Sequence, residues 1–508
     1  MDLKTTRTWV LLGCACAALA GAGVASAGID VGVTEDAGKA GNGAAFFATL
    51  GDVGLKVNRI SINWDPAAPT KIAGQAEIAK WLPQAQVSGT RIIFAVAPAQ
   101  ANGLTATPGA KGQFIAFVKQ LAAAFPTVKD YVIGNEPNQP YFWTPQYSAA
   151  GKPLAAAQYL PVLAGSYDAL KAKDPTINVI GVGLSPRGND LAKGKNTRSR
   201  SPVRFLADLA RYYKLSGRKT PIMNELAFHP YPQPQQGAPS VGYAWPTAGL
   251  ANLNRIKQAV WDAFNGTAQP TFAETGKTFT RPLRFDLDEV GWQVPIPPAL
   301  APMYHGTETP GLRLVSEATQ ADYYADTINA VACDPTVRML SFFHLVDETD
   351  LGRWQSGLER ADGSRRPSYD RVKQTLAQSH GTCQGRPTVK WKHATGVVLP
   401  AVAWGNLRKP FPRKQKRWSF KAGAAEGADF RAGIFKAGPR KAVLGKRLAK
   451  GRPRPLLYVQ GVIKGQRRLV VFRARKLKPG RYVFAIRMTA SMNPKRATVF
   501  VSRAFRVR

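Results

Sequence analysis

From Gly28 to about Thr382 the chain repeats one pattern: a short run of β-branched and apolar residues, then a longer stretch with apolar residues at helical spacing. Eight such runs occur, at 28–33, 57–62, 91–96, 130–134, 177–182, 225–228, 284–288 and 337–343. Alternation of short strand-like runs with helical patterns is the mark of repeated βα units and a parallel sheet. In 112–121, for example, Phe114, Phe117, Val118 and Leu121 fall on one helical face. Eight units over about 350 residues predict an α/β domain closed into a (β/α)8 barrel, with insertions at 138–158, 187–202 and 295–315. An open doubly wound sheet is the alternative, but no glycine-rich phosphate loop follows the first run.

Barrels of this kind carry their chemistry at the carboxyl ends of the strands. There the fourth run passes into Asn135-Glu136-Pro137, and the seventh runs out through Leu287-Asp-Glu-Val-Gly-Trp-Gln293, so Glu136 and Glu289 each close a strand. Their ends can face each other over the mouth. Two carboxyl groups so placed are what glycosidic hydrolysis needs, one protonated to donate to the leaving oxygen and one ionised to attack or stabilise the sugar cation. A neighbouring Arg59 would favour the ionised form, and burial near aromatics the protonated one. Trp64, Phe142, Trp143 and Trp292 are candidates to stack on sugar rings, the alternative being rim packing. His229 and Tyr231 follow the sixth run, where His229 is either part of the site or a satisfied core histidine. The five histidines are scattered without ligand spacing, so neither a metal nor a cofactor is expected.

On these residues the chain resembles the retaining glycoside hydrolases of clan A, nearest to families 39 and 5. Asn135-Glu136-Pro137, His229-Pro-Tyr231 and Glu289-Val-Gly-Trp292 carry the resemblance, with support from Gly183-Leu-Ser-Pro186 and Pro367-Ser-Tyr369. It covers roughly 29–380 and implies Glu136 as acid/base, Glu289 as nucleophile, Asn135 on the sugar 2-hydroxyl, Tyr231 on the nucleophile, and Arg59 holding the nucleophile's charge. It also implies carboxyl groups about 5 to 5.5 Å apart. Where this clan often has a tryptophan after the eighth strand, the chain reads Phe343-His344-Leu345, with Trp354 ten residues later. Either His344 takes the platform's place or Trp354 folds back. A non-hydrolytic carbohydrate-binding or wall-adhesion protein on a barrel scaffold is the second functional reading.

The ends of the chain bound its setting. Residues 1–27 read as a secretory signal, with Lys4 and Arg7, an apolar run, and Ala25-Ser26-Ala27 for cleavage, so the protein is expected to be secreted or held at the cell surface. Leu11-Leu12-Gly13-Cys14 resembles a lipoprotein box, but too few apolar residues precede it. No later segment has the 18 or so apolar residues of a membrane span. Cys333 and Cys383 remain as an even pair in an exported chain and predict a disulfide, the alternative being two buried thiols. Beyond the 28–384 barrel domain, 385–412 reads as linker or the start of a β-domain and 413–508 as an antiparallel β-sandwich. Leu477-Lys-Pro-Gly-Arg-Tyr482 in it loosely resembles the last strands of immunoglobulin-like modules. Residues 385–508 hold 33 Lys and Arg against Glu426 and Asp429, so +31 of the chain's +38 lies there. That charge suits solubility or attachment to an anionic cell-surface polymer. Nucleic acid is an unlikely partner, because the aromatics are not interleaved as stacking platforms.

Overall fold

Each of the eight runs becomes a parallel strand, and together they close a barrel in sequence order: β1 (Asp30–Thr34), β2 (Val57–Trp64), β3 (Arg91–Pro98), β4 (Asp130–Ile133), β5 (Asn178–Leu184), β6 (Glu225–Phe228), β7 (Arg284–Val290) and β8 (Val337–Phe343), with β8 pairing back to β1. The computed structural model describes residues 28–192, 198–437, 455–473 and 476–508. The expected signal, 1–27, and part of the 187–202 insertion lie outside the described residues.

A helix follows every strand: α1 (Ala44–Val53), α2 (Gln75–Val87), α3 (Ala110–Ala124), α4 (Ala155–Lys173), α5 (Pro202–Leu215), α6 (Leu253–Phe264), α7 (Glu317–Val331) and α8 (Pro367–Ser379). These helices cover the outer faces of the strands, which is why β4 and β6 are buried along their whole length and read as unbroken apolar runs. Phe114, Phe117, Val118 and Leu121 of α3 are all buried against the sheet. Local chemistry sets the helix ends. Ser316 caps α7 by accepting from Thr319 N at 3.1 Å, and Pro202 opens α5 where a missing N–H costs nothing.

The barrel interior is layered. At the amino end Arg91, Asp130, Asn178, Glu225 and Arg338 form a polar floor, with Arg338 bonded to Asp130 at 3.0 Å and to Glu225. Above it lie Val57, Ile93, Ala95, Val132, Ile180, Ala227 and Met339, an apolar plug. The mouth above the plug is charged again. A packed middle layer makes this a core and not a pore.

Cys333 and Cys383 form a disulfide with a Cα separation of 4.5 Å, joining the segment after α8 to the end of α7. Closing a 50-residue loop is worth up to roughly 4 kcal/mol in the chain-entropy view.

Beyond the barrel come β9 (Ala401–Ala403), β10 (Arg417–Gly423), β11 (Gly427–Lys436), β12 (Leu457–Lys464), β13 (Arg468–Arg473), β14 (Gly480–Ala490), β15 (Ala497–Val501) and β16 (Phe505–Val507). One sheet runs β13-β10-β9 and the other β12-β11-β14-β15, with β16 also on β14. The pairs are antiparallel. Trp418, Phe420, Phe430, Phe472, Phe484 and Phe505 from the two sheets meet in a single core. Arg496, between β14 and β15, ties this domain to the barrel. Its guanidinium is 2.7 Å from both Asp262 on α6 and Glu426, and it also donates to Gly396 O. Beside it the rings of His393 and Trp261 stack at 3.9 Å.

Candidate active site

Gly134 follows β4 at φ 83°, where a Cβ would come within 3.1 Å of the Tyr159 ring, so glycine alone fits. Glu136 itself has φ 37°, a left-handed conformation that side chains other than glycine seldom adopt. The neighbouring strand holds it there. β5 buckles between Gly181 and Leu184, with Val182 at φ 80°, and the freed Gly183 carbonyl accepts from Glu136 N at 2.8 Å. Tyr159 of α4 fixes the buckle by donating to Ile133 O and accepting from Val182 N. Such local strain costs about 1–3 kcal/mol and persists only where the surroundings impose it. Here it turns one carboxylate toward the barrel axis.

The second carboxylate comes from β7, whose register with β8 also shifts, between Leu287 and Val290. Arg59 Nη1 donates to Glu289 Oε1 at 2.9 Å, and the Tyr231 hydroxyl donates to Oε2 at 3.2 Å. Arg59 Nη2 also donates to Asn135 Oδ1 at 2.8 Å, leaving the Asn135 amide nitrogen as its free donor. His229 lies between the two glutamates, with Nδ1 2.9 Å from Glu136 and 3.3 Å from Glu289. Suitable atoms of Glu136, His229 and Glu289 all fall within 4.8 Å of one another. The two strand-end acids thus lie close together at the mouth.

One member of this cluster escaped sequence reasoning. Asp288 is fully buried beneath Glu289, 2.9 Å from Arg59 Nε and 3.3 Å from His229 Nε2. Both contacts have ion-pair distances without hydrogen-bond alignment. Its signal was a second acid directly preceding Glu289 on a buried strand.

Electrostatics follow from this packing. Burial opposes charge on His229, yet Glu289, Asp288 and Glu136 around it raise its pKa to about 10, so it is an imidazolium at neutral pH. Burial pushes the Glu289 carboxyl above its ordinary value, while His229 and Arg59 pull it back. Asp288 is pushed up by burial but held below its ordinary value by the same two cations. Three carboxylates against two fixed cations leave one negative charge, so one proton makes the cluster neutral.

Above these groups lies a cavity of about 230 Å³, lined by Glu136, Phe142, Tyr231, Glu289, Phe343 and Trp354 among others. Its aromatic wall differs from the expected one. Trp64, Trp143 and Trp292 are fully buried, with their indole nitrogens on Pro69 O, Gln158 and Gly237 O, so they pack the barrel and offer no face to a ligand. Trp354 folds back instead, its ring 4.8 Å from Tyr231. His344 is clamped between Glu35 and Glu348 at 3.4 Å, outside the cavity lining, and supports the wall from behind. A larger cleft, about 700 Å³, lies between α5, α6 and the β-domain. Its two acids, Asp262 and Glu426, are both held by Arg496, so it offers no free acid–base pair.

No family model matches the chain, and no curated protein matches it. Among solved structures it is similar to a family 39 glycoside hydrolase from Bacteroides cellulosilyticus WH2, at 14% identity and TM-score 0.47 over 88% of this chain and 81% of that one. A family 5, subfamily 18 glycoside hydrolase from Streptomyces cattleya, in complex with GlcNAc, gives 16% identity and 0.47 over 74% and 84%. A glucosidase from Croceicoccus marinus gives 12% and 0.44 over 88% and 93%.

Proposed function

We propose that the protein is a retaining glycosidase in which Glu289 is the nucleophile and Glu136 the acid/base. One observation carries this reading: two carboxylates from different strands lie within 4.8 Å across a cavity, with one histidine between them. That is the short spacing of double displacement and leaves no room for the water that inversion places between the acids.

In these roles the one proton of the neutral cluster sits on Glu136, and Glu289, although burial raises its pKa, is ionised opposite Arg59, Tyr231 and His229. Attack by Glu289 on the anomeric carbon forms an ester, while Glu136 gives its proton to the leaving oxygen and becomes the anion. The negative charge thereby moves from one side of His229 to the other, and the imidazolium is within 3.3 Å of both ends. A fixed cation that serves either carboxylate needs no reorganisation during the step. Water then attacks the ester, and Glu136 takes its proton back. The Asn135 amide is placed to donate to a sugar hydroxyl, and Trp354, Phe343 and Phe142 give an aromatic wall to the ring.

The 1–27 signal and the Cys333–Cys383 bond favour work outside the cell. The cationic domain, with boundaries near 385 and 413, would then rest on an anionic surface polymer. None of the described helices is long and apolar enough to cross a membrane. A slow-reacting 2-deoxy-2-fluoro aryl glycoside tests the chemistry: peptide mapping should find the label on Glu289. Glycan binding without labelling or hydrolysis of any glycoside would replace this reading with the non-hydrolytic one.

A further inference from the structure

Arginines inside the barrel end on acids: Arg59 on Asp288 and Glu289, Arg91 on Asp30 and Asp130, Arg338 on Asp130 and Glu225, and Arg366 on Asp347 and Glu317. Arg187, exposed on the loop after β5 at the rim of the mouth, does not. It is the one cation among the described residues lining the cavity over Glu136 and Glu289, and its guanidinium has no ion pair or hydrogen bond there. The loop beneath it is fixed, because the Arg187 carbonyl accepts from the Gln139 amide at 2.5 Å and from Asn138 at 3.4 Å. Arg187 and Tyr231 line the same cavity, and the Tyr231 carbonyl is in turn held by the Tyr243 hydroxyl, which donates to it at 2.7 Å.

A second observation points into the same space. Gln293 lines the cavity at 8% exposure, and its Oε1 is buried without a partner. A buried amide oxygen left unbonded is costly, and a turn of the Gln293 amide presents it to a hydroxyl in the cavity. The unpaired guanidinium of Arg187, on the same cavity's lining, offers a planar fork suited to a carboxylate. At about 230 Å³ the space is below the ~300–1,000 Å³ of drug-sized sites, so these groups address roughly one sugar ring.

We propose that the ring held in this cavity is a uronic acid, its carboxylate paired with Arg187 and a hydroxyl donated to Gln293. The proposal rests on the glycosidase reading and names its substrate class. It also gives the +31 of residues 385–508 the same target as the active site, since a polymer built of uronic acids satisfies both.

The test compares aryl β-glucuronide with aryl β-glucoside, and the galacto pair likewise, on the full-length protein and on Arg187→Gln and Arg187→Lys. The wild type should favour the uronide by on the order of ten- to a hundredfold in kcat/KM, the yield of a charge-assisted pair. Arg187→Gln should erase most of that preference, chiefly through KM, and Arg187→Lys should recover part of it, keeping the charge but not the fork. Equal turnover of neutral and acidic members, or equal losses on both in Arg187→Gln, overturns the uronate assignment and leaves the glycosidase intact. No turnover of any member, with no fluoroglycoside label on Glu289, removes the glycosidase reading itself. Calorimetry with free glucuronate and glucose gives a readout independent of turnover, and tighter binding of glucose also overturns the assignment.

Discussion

Arg59, Arg91, Arg338 and Arg366 are held by carboxylates in the barrel domain, whereas beyond residue 400 Arg496 is the one cation in an ion pair among the described residues. Arg417, Lys421 and Arg431 stand exposed on β10 and β11 and are in none of the ion pairs among the described residues. Burial explains the contrast. A cation taken out of water must find a partner, and the partner then fixes its geometry, whereas an exposed cation keeps its hydration and stays available. In the barrel, charge builds a rigid site; in the sandwich, it stays hydrated at the surface.

The hardest blow to this contrast falls on the paired side. Glu289→Gln should lower kcat/KM by on the order of 10⁴-fold or more with the fold kept, and Glu136→Gln by about 10²–10⁴-fold, with less effect on aryl leaving groups that need little protonation. Steady-state kinetics check both. Unchanged turnover in either would mean that the paired charges are structural only.

Next comes the cation between them. His229→Gln leaves buried Asp288 and Glu289 and half-buried Glu136 facing Arg59 alone and should cost about 3–5 kcal/mol in urea unfolding at neutral pH. The wild type supplies a second reading of the same group. Because the folded pKa is raised to about 10, the stabilisation is fully present below the unfolded value of about 6.5 and is lost as pH rises toward 10. Stability curves should therefore fall across that window in the wild type and be flatter in His229→Gln.

That His229 would carry so much was only half legible. The eight runs were visible because strands covered on both faces leave uninterrupted apolar segments, and the two glutamates were visible because the fold places strand ends at the mouth. Asp288 needed the register shift of β7, which no spacing announces. The tryptophans misled because ring exposure is a tertiary matter: Trp143 lies edge-on to Tyr159 in the interior, while Trp354, ten residues past β8, comes back to the cavity. In the sandwich, β10 and β11 give a weak strand signal because their inward positions include Ala422, Ala428 and Ala432 opposite large rings, and alanine is a poor strand signal by itself.

A smaller effect tests the joint between the two regions. Arg496→Met should separate barrel and sandwich melting in calorimetry, since Asp262 and Glu426 would then face each other without a cation, at a cost of about 3 kcal/mol. A single unsplit transition would place the coupling elsewhere, in the Trp261 and His393 stack.

The smallest change in stability belongs to the free cations. Replacing Arg417, Lys421 and Arg431 by Gln should shift unfolding by no more than about 0.5 kcal/mol each, yet reduce salt-sensitive retention on an immobilised polyuronate. If retention survives both these changes and removal of residues 385–508, the exposed charge serves solubility alone.

Arg496 has a mechanical corollary. Because one guanidinium grips a barrel helix and the sandwich together, the second domain behaves as a bracket and not a tether. A surface that holds the bracket also sets the direction in which the mouth faces, and the reach of catalysis shrinks to the polymer lying along that heading.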